Sequence, residues 1–231
     1  MCHRCSTRRE ITLHVVVRDN NAPKLLQLWY GDCLKLMDDI PDNSVDAIIT
    51  DPPYAKEFLH LYNDIAVRAK RILKRGGSYL TILPHYAIPH IVSSVSEHLK
   101  FRWMLCMWQG DGPHARMAMG VEILWKPIGW WVKGAWPQGR GFVADAFRCP
   151  TQQKKMHRWQ QHIAWAEYCM RFVPKGGVVV DPLMGVGTVG VACIESGRSF
   201  IGIELSEETF DIAVERLEST RKGIVCFIEQ L

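Results

Sequence analysis

The sequence predicts an α/β fold, a mostly parallel sheet of about seven strands with helices on both faces. Three observations predict it. Short apolar runs alternate with segments of helical period from Leu26 onward. Two of these runs, Val45–Thr50 and Val178–Val180, are almost continuously apolar, as strands covered on both faces must be. At 231 residues and 48% hydrophobic, the chain has the size and composition for one domain with a real core.

The elements follow in order. Residues 1–25 read as an N-terminal extension, and Leu26–Tyr30 as the first strand, stopped by Gly31-Asp32. A short helix, Cys33–Asp39, leads to a turn at Pro41-Asp42-Asn43-Ser44 and then to Val45–Thr50. Ile65, Ala69, Ile72 and Leu73 share one face of a helix from about Phe58 to Lys74, with Gly76-Gly77 as its stop. Ser78–Leu83 is a strand, Ile88–Leu99 a helix and Arg102–Trp108 a strand. A loop, Gln109–Gly120, precedes the strand Val121–Trp125. From Lys126 to Arg158 no period is evident, and the stretch is rich in Gly, Pro, Trp and Gln, so it reads as an insert. A helix is expected from about His157 to Phe172, then the strand Val178–Val180, a helix ending at Ser196 and the strand Phe200–Ile203. Ser206 caps a last helix whose apolar face is Phe210, Ala213, Val214 and Leu217.

Charge and cysteine usage narrow the class. No run of eighteen apolar residues occurs, so no membrane partner is expected, and the basic N-terminus lacks the apolar core of a secretion signal. A cytoplasmic location follows. Most of the eight cysteines sit in apolar runs, where they act as small hydrophobes. Cys2-x-x-Cys5 has no second pair to complete a zinc site, and no metal is expected. The net charge of +4 permits a polyanionic partner without requiring one.

Two loops carry chemistry. Asp51-Pro52-Pro53-Tyr54 follows a buried strand, where open α/β sheets place ligand-handling residues. An exocyclic amine of adenine or cytosine is a poor nucleophile because its lone pair is delocalised into the ring. A carboxylate and a main-chain carbonyl, from Asp51 and Pro52, can each accept one of its N–H bonds and aim that lone pair. Pro52 and Pro53 stiffen the loop. Tyr54 offers a face for stacking, worth ~1–3 kcal/mol per base, which offsets part of the cost of extruding a base from a duplex. The second loop, Gly185-x-Gly187-x-x-Gly190, opens a helix, with Glu204 ending the next strand. Such spacing suits a nucleoside cofactor, with the acid on its ribose. Asp181-Pro182 ahead of the glycines suits an ammonium or sulfonium better than the pyrophosphate of NAD.

Together these residues resemble the amino-methyltransferases of DNA, specifically the permuted β class, in which the catalytic loop precedes the cofactor loop. Gly31-Asp32-Cys33-Leu34, Pro41 to Asp46 and Asp51-Pro52-Pro53-Tyr54 resemble the opening block, and Asp181 to Thr188 with Gly202-Ile203-Glu204-Leu205 the closing one. The resemblance runs from about Leu28 to Leu217, and the small size resembles phage- or prophage-encoded members. It implies a Rossmann-like, permuted methyltransferase domain over 26–231, S-adenosyl-L-methionine as cofactor and DNA as partner. A restriction–modification setting comes with it, with a restriction endonuclease partner left open. It implies that Asp51, Pro52, Pro53 and Tyr54 handle the base. It further implies that Asp181, Pro182, Met184, Gly185, Gly187 and Thr188 line the methionine end of the cofactor. Glu204 and Leu205 would lie at the ribose and Asp32 near the adenine. Leu183 and Val186 stand where the family usually has Phe and Ser, and a His-Pro-x-Gln-Lys-Pro block survives only as His157 to His162.

Residues 126–158 hold seven cations against the single acid Asp145, interleaved with Trp130, Trp131, Trp136, Phe142 and Phe147. Cations for phosphates and aromatics for bases suit a nucleic-acid surface. The expected DNA contacts are Lys126, Lys133, Arg140, Arg148, Lys154 and Lys155. So short a segment implies modest sequence specificity or reliance on a homodimer. The reading is therefore methyl transfer to the exocyclic amine of a flipped-out base, adenine N6, since Asp in first position favours adenine. The alternatives are cytosine N4, an NAD-dependent oxidoreductase and a non-catalytic DNA-binding relative.

Overall fold

Parallel strands buried on both faces need alternate side chains directed into two separate cores. A computed structural model, which describes residues 12–19, 22–110, 115–136, 141–150 and 161–220, shows this division. The strands are β1 (Thr12–Asp19), β2 (Ala22–Tyr30), β3 (Val45–Thr50), β4 (Leu73–Ile82) and β5 (Lys100–Trp108), then β6 (Ala115–Arg116) and β7 (Glu122–Ile123). They continue with β8 (Trp125–Val132), β9 (Ala146–Arg148), β10 (Val178–Asp181) and β11 (Ser199–Glu204). The helices are α1 (Cys33–Leu36), α2 (His60–Ile72), α3 (Ile88–Ser96), α4 (Ile163–Cys169), α5 (Thr188–Glu195) and α6 (Glu207–Thr220). Ala47, Ile49, Val179 and Phe200 point to one core with residues of α4, α5 and α6. Their neighbours Ile48, Val180 and Ile201 point to the other, with residues of α2 and α3. Among the described residues no helix is long and apolar enough to cross a membrane.

Nine strands form the main sheet, in the order β1-β2-β11-β10-β3-β4-β8-β5-β9. Six of the seven expected strands are in its inner part; in place of the seventh, Val121–Trp125, stand β8 in the sheet and the short β7 outside it, and β1 and β9 extend the two edges. The run β2-β11-β10-β3-β4 is parallel. β1 and β8 run against their neighbours. The strands β2 and β3 are consecutive in the chain yet lie apart, with β11 and β10 between them.

Three expectations are corrected. Part of the supposed extension, 12–25, is a strand pair: β1 pairs along its whole length with β2, which begins at Ala22 and not Leu26. The helix before Gly76-Gly77 ends earlier, at Ile72, and β4 runs through both glycines. Gly76 takes a left-handed φ of 81°, and a Cβ on Gly77 would meet the Lys74 and Asp46 carbonyls at 2.9 and 3.1 Å. The glycines therefore bend the strand where its pairing with β3 shifts register. The largest correction concerns 126–158. Trp125–Val132 is no insert but an inner strand, paired antiparallel on both sides. Gly129 is required there because the Trp131 ring lies over it, leaving only 2.2 Å to a built Cβ. The 109–124 connection also carries the small β6–β7 hairpin.

Candidate active site

Connections between parallel strands are right-handed, so the face a helix occupies reports the direction in which the chain moves across the sheet. From β3 the chain passes through α2, on one face, to β4; from β10 it passes through α5, on the other, to β11. The direction reverses between β3 and β10, which are hydrogen-bonded neighbours (Val179 opposite Ala47, Val180 opposite Ile48). A crevice opens at the carboxyl ends of strands that diverge in this way. Asp51 follows β3 and Asp181 ends β10, so the two loops read from the sequence meet at this switch point.

The Asp51 loop is held from several sides. Pro52 is buried, Pro53 exposed, and Tyr54 packs against the core. The Asp51 carboxylate accepts the Tyr54 hydroxyl at 2.7 Å on one oxygen and the Gln161 amide at 2.6 Å on the other. The Oε1 of Gln161 accepts the Lys126 ammonium at 3.0 Å, and that ammonium also lies 5.8 Å from the centre of the Tyr54 ring. The Tyr86 hydroxyl donates to the Tyr54 carbonyl and braces the loop. Burial raises the Asp51 carboxyl above its ordinary range, opposed by the Lys126 charge and by the Tyr54 and Gln161 hydrogen bonds.

The glycine loop is folded by its own backbone and by two outside groups. Gly185 and Gly187 have φ of 51° and 77°, and Gly187 starts α5. Met184 donates its N–H to the Ile203 carbonyl, and its sulfur sits against Gly202, where a Cβ would approach to 2.4 Å. One oxygen of Glu204 accepts the Gly185 N–H at 3.0 Å, and the other accepts those of Leu205 and Ser206 at 2.9 and 2.8 Å. The Leu205 side chain is exposed. Arg216 of α6 donates to the Val186 carbonyl and the Thr188 hydroxyl at 3.0 and 3.1 Å, a contact no local motif announces. Asp32 caps α1 by accepting the Leu34 N–H at 2.9 Å. It adjoins Glu204 because Tyr30 pairs with Glu204 and Gly31 donates to the Glu204 carbonyl.

Asp181 is buried beside Pro182, also buried, and accepts the Leu183 N–H at 3.2 Å. Burial pushes its carboxyl up to about 7; the Thr50 hydroxyl and the Leu183 amide pull it down, while the charges of Asp51 and Glu204 push it further up. Three carboxylates thus share one cleft, and the side of Gly185 on which a Cβ would stand is open for 4 Å. The chemistry fits a ligand that brings positive charge to Asp181 and a hydroxylated ring to Glu204.

The described cations of the basic stretch do not lie on one surface. Lys126 lies inside the cleft. Lys133 sits at the opposite rim, where its ammonium donates to Asn43, the Arg71 carbonyl and the Leu73 carbonyl at 2.7–3.1 Å. Arg148 ends β9 beside Trp108, at the same rim as Asp51. Arg140, Lys154 and Lys155 lie outside the described residues, as do Cys2, Cys5 and His157. The aromatics mostly pack: Trp131 is fully buried, Trp130 stands edge-on to Trp136 and Phe172, and Phe147 stacks on Tyr168 at 4.1 Å. Only Phe142 of the five is fully exposed. Among the described residues no three His, Cys, Asp or Glu side chains converge as a metal site.

Comparison with known proteins agrees with this geometry. The N6/N4 methyltransferase family model, described as DNA methylase, matches residues 167–215. Type II methyltransferase M.HpaI of Haemophilus parainfluenzae is 21% identical over 245 residues, covering 89% of this chain and 78% of that protein. Among solved structures, a DNA modification methylase of Thermus thermophilus in complex with S-adenosyl-L-methionine superposes with a TM-score of 0.68. It is 19% identical, over 84% of this chain and 94% of that one. The cytosine-N4-specific PvuII DNA methyltransferase gives 0.70 at 14% identity, over 84% and 90%. The expected fold class is therefore the observed one.

Proposed function

We propose, from a chain that has the fold of the DNA amino-methyltransferases and carries both of their signature loops, that it methylates the exocyclic amine of a DNA base, adenine N6, from S-adenosyl-L-methionine. The observation that carries this reading is the meeting of Asp51 and the 181–188 loop on adjacent strands at the point where the sheet reverses. When bound, the cofactor supplies an electrophilic methyl on a sulfonium. The chain supplies the rest. Asp181 faces the positive end of the cofactor, Gly185 and Gly187 let the backbone approach it, and Glu204 keeps lone pairs for ribose hydroxyls while holding the loop. Asp51 accepts one N–H of the amine and the Pro52 carbonyl the other, which localises the nitrogen lone pair. Tyr54 stacks on the base. After transfer the surplus amine proton passes to Asp51 and on to water.

An oxidoreductase reading is disfavoured because three carboxylates around the glycine turn would repel a pyrophosphate. The test is transfer of labelled methyl from S-adenosyl-L-methionine to unmethylated DNA, followed by nucleoside mass spectrometry. N6-methyladenine is expected. N4-methylcytosine would overturn the adenine assignment, and absence of any labelled base would leave the non-catalytic relative.

A further inference from the structure

One neutral amide and one cation form a chain behind Asp51. An ammonium only donates, so the Lys126 contact at 3.0 Å fixes which end of the Gln161 amide is the oxygen. Its NH2 must then point the other way, where it donates to Asp51 at 2.6 Å. The parts come from three segments: Lys126 is the second residue of β8, Gln161 lies in the segment before α4, and Asp51 is the residue after β3. We propose that Lys126 and Gln161 are positioning residues, a charge-backed amide relay that fixes the plane of the Asp51 carboxylate for the target amine. This deepens the function proposed above and rests on it.

The relay has a titratable consequence. Among the described residues, the ionisable groups facing Asp51 are Lys126 from β8, Tyr54 from its own loop, Tyr62 from α2 and Asp181 from β10. Of these four Lys126 is the cation, and Gln161 connects it to Asp51 by hydrogen bonds. Loss of either relay member removes stabilisation of the ionised carboxylate and moves the Asp51 midpoint upward.

The experiment follows the carbon-13 carboxyl resonance of Asp51, assigned by its loss in Asp51→Asn, through a pH titration of the full chain. Gln161→Leu and Lys126→Met are each expected to raise the midpoint by about one pH unit. The double variant Lys126→Met with Gln161→Lys brings an ammonium directly to Asp51 and is expected to lower it again. In methyl transfer, both single variants are expected to lose about 10- to 100-fold in kcat, with KM for S-adenosyl-L-methionine within about twofold. The acid limb of kcat is expected to move with the resonance midpoint. An unmoved midpoint in Gln161→Leu overturns the relay whatever the activity. If that variant fails to fold, Gln161→Asn, one methylene too short to span the gap, is held to the same criterion. A wild-type chain that methylates no DNA overturns the function proposed above, and the titration still decides the relay.

Discussion

Replacing Asp181 by Asn should make the chain more stable at pH 8 and leave its stability nearly unchanged at pH 4. Asp181 is buried, and its carboxyl stands at about 7 against an ordinary 3.8. An acid whose folded value lies above its unfolded one contributes stability that is complete below pH 3.8. That contribution is lost as the pH climbs to 7, because the unfolded chain ionises first. At 1.36 kcal/mol per pH unit the span amounts to on the order of 4 kcal/mol. Asn keeps the acceptor for the Leu183 N–H and carries no charge to bury, so the variant escapes this loss. With a urea m-value of ~2 kcal/mol/M, the unfolding midpoints of the two proteins should separate by about 2 M at pH 8 and converge at pH 4. The same variant should bind S-adenosyl-L-methionine poorly, since the cationic end of the cofactor loses its counter-charge. Parallel midpoints for the two proteins across this range would refute the assignment of a proton to Asp181 in the unliganded fold.

Other outcomes follow from the same contacts. Asp51→Ala should lose at least ~100-fold in methyl transfer with cofactor affinity largely kept, measured by single-turnover assay and calorimetry. Gly202→Ala forces a Cβ to 2.4 Å from the Met184 sulfur and 2.6 Å from the Phe200 ring. It should cost ~1–3 kcal/mol in thermal unfolding and weaken cofactor binding, because Met184 carries the glycine loop. Lys133→Met should leave the slope of DNA affinity against salt unchanged, because its ammonium is at the rim away from Asp51. Arg148→Ala should reduce that slope by about 1, read by gel shift at several salt concentrations.

The sequence made the parts around the cleft legible, for a reason. Val45–Thr50 and Val178–Asp181 are covered on both faces, so burial wrote them as apolar runs closed by an acid. Tertiary context overrode local signals elsewhere. Pro127 and Gly129 argue against an inner strand, yet Trp131 supplies over Gly129 the apolar mass that the glycine lacks, and β8 forms. Lys126 and Lys133 read as parts of one surface only because adjacency in the chain was taken for adjacency in space. An antiparallel strand carries Lys126 and Lys133 to opposite rims. Gln161 stood out only as part of the eroded block His157 to His162, and nothing local pointed to its partners, 35 and 110 positions away.

The interleaving of β11 and β10 between β2 and β3 has a consequence for how the cleft comes into being. Until residues beyond 178 arrive, β2 and β3 border a gap two strands wide, roughly 14 Å between their axes, with unpaired amides on either side. β10 and β11 therefore do not add to a finished sheet but are slotted into its middle. During synthesis the Asp51 loop is made early and waits. It meets the 181–188 loop only when the centre is filled, so a ribosome that stalls before Val178 releases a chain with half a cleft and two sticky edges.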